Sequence, residues 1–343
     1  MGLNVKRFWS AARKMSIAAC TILTVALTAI TLTGCGSGTA GNGDGKYSIV
    51  CTTYPQYDWV KQIIGDSDNY NVTLLLKNGV DMHSFQPTAE DMYKVASADM
   101  FVYVGGTSDQ WVDGALKNAK NKNMQVVNMV DILGDKAKVE ELVEGMQEEH
   151  HEHAHDDHDH DHDELLEYDE HVWLSVDNAM IITKALAESL KTIDSANADK
   201  IEANASAYIA KLSALDKEYR DTIAASGNKT VLFGDRFPFR YLADEYGLSY
   251  YAAFPGCSAE TEASFETVTF LSGKVDELGL KSIFVIENSD KKVAETIKKN
   301  TKTKDQEILT LNSMQSVTNK DIDAGATYLK IMEDNLAVLK KGL

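Results

Sequence analysis

Short apolar runs rich in β-branched and aromatic residues recur early in the chain, at Tyr47–Thr52, Val72–Leu76, Met100–Val104 and Gln125–Asn128. Runs of this length suit parallel strands buried on both faces. Patterns with helical period lie between them, among them Ala89–Ala96 and Ser108–Lys117, and the alternation predicts an α/β unit. A second set follows near the C-terminus, with strands expected at Thr230–Phe233, Ser249–Ala253, Ser282–Ile286 and Ile308–Leu311 and helices at Ser264–Leu278 and Ala326–Leu339. Between the two sets, Ile201, Ala205, Tyr208, Leu212, Leu215, Tyr219 and Ile223 recur three or four residues apart. That is one apolar stripe on one long helix. A preceding helix is expected over Asn178–Ile193, with Asp177 available to cap it. The pattern therefore predicts a first α/β lobe over residues 47–177, connecting helices over 178–227 and a second α/β lobe over 228–343.

The start of the chain follows a different pattern. Lys6, Arg7, Arg13 and Lys14 precede an apolar run from Ile17 to Leu32, which reads as a targeting segment over residues 1–34. The run ends in Leu32-Thr33-Gly34-Cys35, which resembles a bacterial lipobox. That resemblance implies cleavage before Cys35 and a lipid on its thiol, hence attachment to the extracytoplasmic face of the cell membrane. Residues 35–46 then read as a flexible, glycine-rich tether. No later run reaches the roughly 18 apolar residues that a spanning helix needs.

Charge narrows the function. The formal net charge is −18, and all four cations of the targeting segment sit apart from the rest, which is more acidic still. Such a surface repels phosphate backbones, so nucleic acid is not an expected partner. Much of the acidity lies in residues 140–170, which hold fifteen acids, seven histidines and no Lys or Arg. This stretch lacks the apolar content to fold alone and is expected to be a mobile loop. Its histidines are His150, His151, His153, His155, His158, His160 and His162. Imidazoles among carboxylates suit divalent transition metals, bound in several exchanging arrangements rather than one fixed geometry. Of the cysteines, Cys20 leaves with the targeting segment and Cys35 is the expected lipid site. Cys51 and Cys257 fall in different lobes, and their spacing does not decide whether they pair.

Only two histidines lie outside the acidic stretch. His83 stands in Asp81-Met82-His83-Ser84-Phe85-Gln86-Pro87, on the loop leaving a strand's C-terminal end, the edge where α/β sheets bind ligands. His171 stands in Asp169-Glu170-His171-Val172-Trp173-Leu174. Here the chain, from about Tyr47 to its end, resembles the solute-binding proteins of zinc and manganese ABC importers. The segment from Asp81 to Gly105 is similar to that family's first metal loop, Asp169–Leu174 is similar to its Asp-Pro-His-x-Trp motif, and Tyr54-Pro55 fits as well. The resemblance implies two Rossmann-like lobes with a metal cleft between them, with His83 and His171 as ligands. It further implies zinc, or manganese or another divalent metal, as cargo. A monomer and an ABC permease as partner are expected with it, and the family's zinc-type members carry a His-rich acidic insert before the second ligand.

The second half departs from the family pattern at the metal. At the third ligand position the match places Arg236, which only donates hydrogen bonds and cannot bind a cation. At the fourth it places Asn312, a neutral substitute for carboxylate. Zinc prefers four donors, and the replacements within reach of the cleft are Asp235, Glu260 and Glu262, with Cys257 as a soft donor in the same loop. Glu260 and Asn312 are carried forward as metal candidates. Arg236, Asp235 and Glu262 are expected to shape the cleft, with Arg236 pairing with Glu260 or Glu262, neutralising an extra carboxylate, or holding an anion carried with the metal. No nucleophile elbow, phosphate-cradling loop, triad or His-Glu-x-x-His pattern is present, so binding without catalysis is the expected activity. A metalloenzyme with an open zinc position and an extracellular metal buffer or adhesin are the alternatives.

Overall fold

The computed structural model describes residues 45–147, 167–258 and 262–343. Two four-stranded parallel sheets form, one in each lobe. In the first, β1 (Tyr47–Cys51), β2 (Tyr70–Leu74), β3 (Met100–Tyr103) and β4 (Gln125–Asn128) lie in the order β2-β1-β3-β4. In the second, β5 (Thr230–Phe237), β6 (Ser249–Pro255), β7 (Ser282–Ile286) and β8 (Glu307–Leu311) repeat it as β6-β5-β7-β8. Each lobe thus has the strand order that opens a crevice at the carboxyl ends of its central strands.

The helices follow the apolar spacing. In the first lobe they are α1 (Tyr54–Ile64), α2 (Ala89–Ala96), α3 (Val112–Lys117) and α4 (Met129–Leu133). The connection is a pair, α5 (Val176–Ile193) and α6 (Ala198–Ala225). In the second lobe come α7 (Arg240–Tyr246), α8 (Phe265–Leu278), α9 (Lys292–Asn300), α10 (Asn319–Asp323) and α11 (Tyr328–Gly342). At 28 residues α6 runs about 42 Å, and all seven residues of its expected stripe are buried. It packs on α1 of the first lobe and on α11 of the second.

One apolar core therefore runs through both lobes and the connecting helices, with a smaller cluster on the outer face of the second sheet. Buried polar groups tie the lobes together. Asp58 on α1 accepts from Tyr328 N at 3.0 Å. Tyr328 Oη donates to Trp173 O, and Trp173 Nε1 donates to Ser313 O. Trp59 meets the Tyr328 ring edge-on at 5.0 Å.

Four local expectations change. Ser175, not Asp177, caps α5, its side chain accepting from Asn178 N; Asp177 instead pairs with Lys136. The expected helix over Ser108–Lys117 is broken, with a 3-10 turn at Thr107–Asp109 before α3. Strand β5 continues past Phe233 to Phe237, with a register irregularity between Phe233 and Arg236. The acidic stretch is anchored at both of its described ends: Val139 bridges Tyr168, Glu140 N donates to Glu167 O, and Gln147 N donates to Ala253 O in the second lobe. Backbone pairing there supplies the order that composition alone does not. Both cysteines of the folded part, Cys51 and Cys257, are free thiols.

Candidate metal centre

The carboxyl ends of the strands supply the centre. His83 sits in a 3-10 turn, Met82–Ser84, on the loop after β2. Asp81 caps that turn, accepting from His83 N at 3.0 Å. Ser108 follows β3, Asp235 and Arg236 end β5, Cys257 follows β6 and Glu287 follows β7. His171 enters on the segment that leads from the acidic stretch into α5 and is fully buried.

The two histidines converge. His83 Nε2 and His171 Nε2 are 3.2 Å apart. Each Nδ1 is held from outside: that of His171 lies 2.8 Å from Asp169 Oδ1, and that of His83 lies 3.0 Å from Ser108 Oγ. Ser108 Oγ in turn donates to Glu170 Oε2, and Glu170 Oε1 accepts from Ser108 N. The hydrogen-bond pattern asks each Nδ1 to be the donor, because its partner is a carboxylate or a hydroxyl already committed to one. Both Nε2 lone pairs then face one common point. Lone pairs that close repel unless a proton or cation lies between them. For zinc at 2.0–2.1 Å from each nitrogen, tetrahedral geometry puts the two nitrogens about 3.3 Å apart.

The backbone makes room for this frame. Gly106 has φ +105°, and a Cβ there would stand 2.5 Å from Glu170 Oε1. Only glycine lets Glu170 reach Ser108. Gly256 lies against the His171 ring, where a Cβ would be 3.2 Å from Nδ1 and 2.9 Å from Phe237 O. The next residue, Cys257, completes a triad: ligand atoms of His83, His171 and Cys257 all fall within 4.8 Å of one another.

Electrostatics favour a neutral His83 ring. Burial, and then the neighbouring His171, push His83 down to about 3, so its ring is uncharged at neutral pH. Burial raises Glu170 to about 7 against the opposing Ser108 hydrogen bonds. The Cys257 thiol is raised well above its usual value by burial, with Glu140, Asp169 and Glu170 adding to it. Asp81 goes the other way: burial alone would raise it, but Arg236 and His83 outweigh that and hold it below the ordinary carboxylate range.

Arg236 has two partners. Its Nη2 makes an ion pair with Asp81 across the cleft, and its Nη1 donates to Ser258 O at 3.3 Å. Arg236 thus bridges the His83 loop and the Cys257 loop rather than pairing with Glu262, which is exposed. Asp235 lines a cavity of about 500 Å³ together with Asp81, His83, Arg236 and Glu287. Its Oδ2 is buried with no hydrogen-bond partner among the described residues. Asn312 is not part of that lining, and its side chain accepts from Met314 N at 2.8 Å. Glu287 was not anticipated from sequence. It accepts from Ser313 N, Ser313 Oγ and Gln315 N, and it is a carboxylate at a strand's C-terminal end, which is the signal that marks it. Glu260, Cys35 and the histidines from His150 to His162 lie outside the described residues.

Two anchored imidazoles at the carboxyl edge of paired α/β lobes have the donor type and spacing that a transition metal takes. A family profile described as zinc-uptake complex component A, periplasmic (ZnuA), matches residues 49–342. The chain belongs to that family. Among ZnuA relatives, the high-affinity zinc uptake system protein ZnuA of Bacillus subtilis (strain 168) is 35% identical over 331 residues, covering 95% of this chain and 96% of the relative. The zinc-binding lipoprotein AdcA of Streptococcus pneumoniae serotype 4 is 33% identical over 324 residues, 93% of this chain. The chain spans 60% of AdcA's length. The crystal structure of the Zn(II)-bound ZnuA-like domain of Streptococcus pneumoniae AdcA superposes with a TM-score of 0.67 at 30% identity, covering 87% of this chain and 99% of that one. The metal-dependent lipoprotein YcdH of Bacillus subtilis gives 0.68 at 31% identity, covering 87% and 99%. The ZnuA assignment agrees with the zinc-type solute-binding class and the two-lobed fold expected from the sequence.

Proposed function

We propose that the protein captures zinc outside the cytoplasm, holds it on His83 and His171 in the cleft between the lobes, and delivers it to the permease of an ABC importer. The observation that carries this reading is the 3.2 Å approach of two imidazole Nε2 atoms whose Nδ1 atoms are both held from behind. Outer hydrogen bonds of that kind fix the tautomer and aim the free lone pair at the ion. The names of the relatives support zinc as the cargo. A lipid on Cys35 would keep a monomeric carrier at the membrane, next to the permease. The histidines from His150 to His162 would collect ions near the cleft, since the described ends of that segment meet two residues from Asp169 and at Glu140. The reading requires binding and release alone, with no bond made or broken in the cargo.

Isothermal calorimetry on metal-stripped protein tests it. His83→Ala and His171→Ala are each expected to weaken the tightest zinc site by well over tenfold. Affinity unchanged by both substitutions would remove the cleft site and the reading with it.

A further inference from the structure

Two imidazoles leave a zinc ion short of donors, and the side chains at the two family positions do not make up the deficit. Arg236 is cationic and bonded to Asp81 and Ser258, and Asn312 is turned to Met314 N. We infer that Cys257 is the third protein ligand, binding the captured ion as a thiolate beside His83 and His171 and selecting zinc against manganese. This rests on the cleft reading proposed above and adds the donor set that decides which ion the cleft accepts.

The argument is geometric first. Cys257 Sγ and one ring nitrogen of each histidine all lie within 4.8 Å of one another. In a tetrahedral site with Zn–N near 2.0 Å and Zn–S near 2.3 Å, the nitrogen-to-sulfur edge is about 3.6 Å. From an imidazole ring atom within 4.8 Å, that edge is within reach of a side-chain rotation and a small loop shift. The histidine edge is already at its bound length.

The loop that carries the thiol is held for this position from both sides. Gly256 packs against the His171 ring with no room for a side chain. Cys257 N donates to Glu140 Oε1 at 3.1 Å. The next carbonyl, Ser258 O, accepts from Arg236, which reaches on to Asp81 beneath His83. Arg236 is thus a positioning residue for two ligands at once, one from each lobe, and this is how a cation can serve the position where a ligand would be expected. The thiol is not tied up in a disulfide among the described residues, where Cys51, buried in β1 of the other lobe, is likewise a free thiol.

The chemistry follows from the donor set. Binding exchanges the thiol proton for the ion, so each captured M²⁺ releases one proton from Cys257 to solvent. Two imidazoles and a thiolate, with water or a carboxylate of the adjoining cavity as fourth donor, suit zinc, cobalt and cadmium. Manganese prefers oxygen donors, and a soft sulfur in its place penalises it.

Cobalt(II) reads the ligand directly. The full-length protein, reduced and metal-stripped in detergent, is titrated with Co²⁺ alone. One equivalent is expected to produce visible d–d bands together with a near-ultraviolet thiolate-to-cobalt charge-transfer band. The charge-transfer band is expected to vanish in Cys257→Ser and to persist in Cys51→Ser. Zinc affinity of Cys257→Ser should drop at least tenfold, and Cys257→Asp should narrow the zinc-over-manganese preference by at least tenfold. Should these variants fold poorly, X-ray absorption of the zinc-loaded unmutated protein gives the same answer, with a sulfur neighbour expected near 2.3 Å. Visible bands that depend on His171 but carry no charge-transfer band, or a zinc shell of nitrogen and oxygen only, would overturn the thiolate while leaving the cleft intact. Cobalt and zinc binding indifferent to His83, His171 and Cys257 alike would overturn the cleft itself.

Discussion

At the scale of single residues, Asp169 fixes the ring of His171. Its Oδ1 accepts from both the backbone N and the ring Nδ1 of His171, at 2.9 and 2.8 Å. Removing it frees the ring to rotate and to change tautomer. Asp169→Ala is expected to weaken zinc binding by about ten- to a hundredfold and to cost about 1–3 kcal/mol of stability through the His171 donors left unpaired; competition with a fluorescent zinc chelator measures the first and urea unfolding the second. His83 and His171 were legible in the sequence because each stands in a short run whose neighbours, Asp81 and Asp169, are also part of the hydrogen-bonded frame. That Arg236 would shape the cleft by meeting a carboxylate was legible; which carboxylate was not. Its ion-pair partner Asp81 lies 155 residues earlier, and no local pattern connects a cation at the end of β5 with a carboxylate after β2. Glu287 escaped for a related reason: its run, Phe284-Val285-Ile286-Glu287, reads as a strand that simply stops.

At the scale of elements, the long helix α6 is the best test of what apolar spacing can foretell. Its stripe was read from periodicity alone, and every member is buried. Leu212 is fully buried in the middle of it, so Leu212→Ala is expected to cost about 2–5 kcal/mol, measured by urea unfolding of the metal-free protein. The strands were equally legible, since parallel strands covered on both faces are nearly continuous apolar runs. The helix expected over Ser108–Lys117 was legible only in part. Ser108 spends its N–H and its hydroxyl on Glu170, and a backbone N–H given to a distant carboxylate holds that residue in the 3-10 turn ahead of α3. The cap of α5 shows the same limit on a smaller scale. Ser175 and Asp177 are both competent caps by residue type, and the buried geometry of the His171 segment selects Ser175.

At the scale of the whole molecule, charge and protonation set how stability responds to acid. Burial raises Asp109 to about 6, and Glu170 and Glu245 to about 7. In the unfolded chain such carboxyls titrate near 4, about the model-peptide value. Between roughly pH 4 and 7 these three carboxyls hold more protons in the folded metal-free protein than in the unfolded one, while His83, pushed down to about 3, holds fewer; three raised groups outweigh one lowered group, so stability falls as pH rises through that window and recovers on acidification. The metal-free protein is expected to melt at a higher temperature at about pH 5.5 than at about pH 7.5. Zinc reverses the order, because ligands that must shed protons bind more weakly in acid. Melting curves at both values, with and without zinc, check both signs. Deleting residues 150–162 removes seven imidazoles and is expected to lower zinc stoichiometry while sparing the tightest site; calorimetry decides, and loss of all binding would transfer the site to that segment.

The last helix closes the molecule in a second sense. Asp58 and Trp59 of α1 find their partner in Tyr328, and Tyr219 of α6 donates to Met332 O. During synthesis the first lobe and the long helix are therefore complete in sequence but unfinished in packing until residues 328–343 have been made. A chain that stops at Thr327 would leave the ribosome with an aromatic seam open from one lobe to the other, and quality-control proteases would meet it as an unfolded protein rather than as a shortened one.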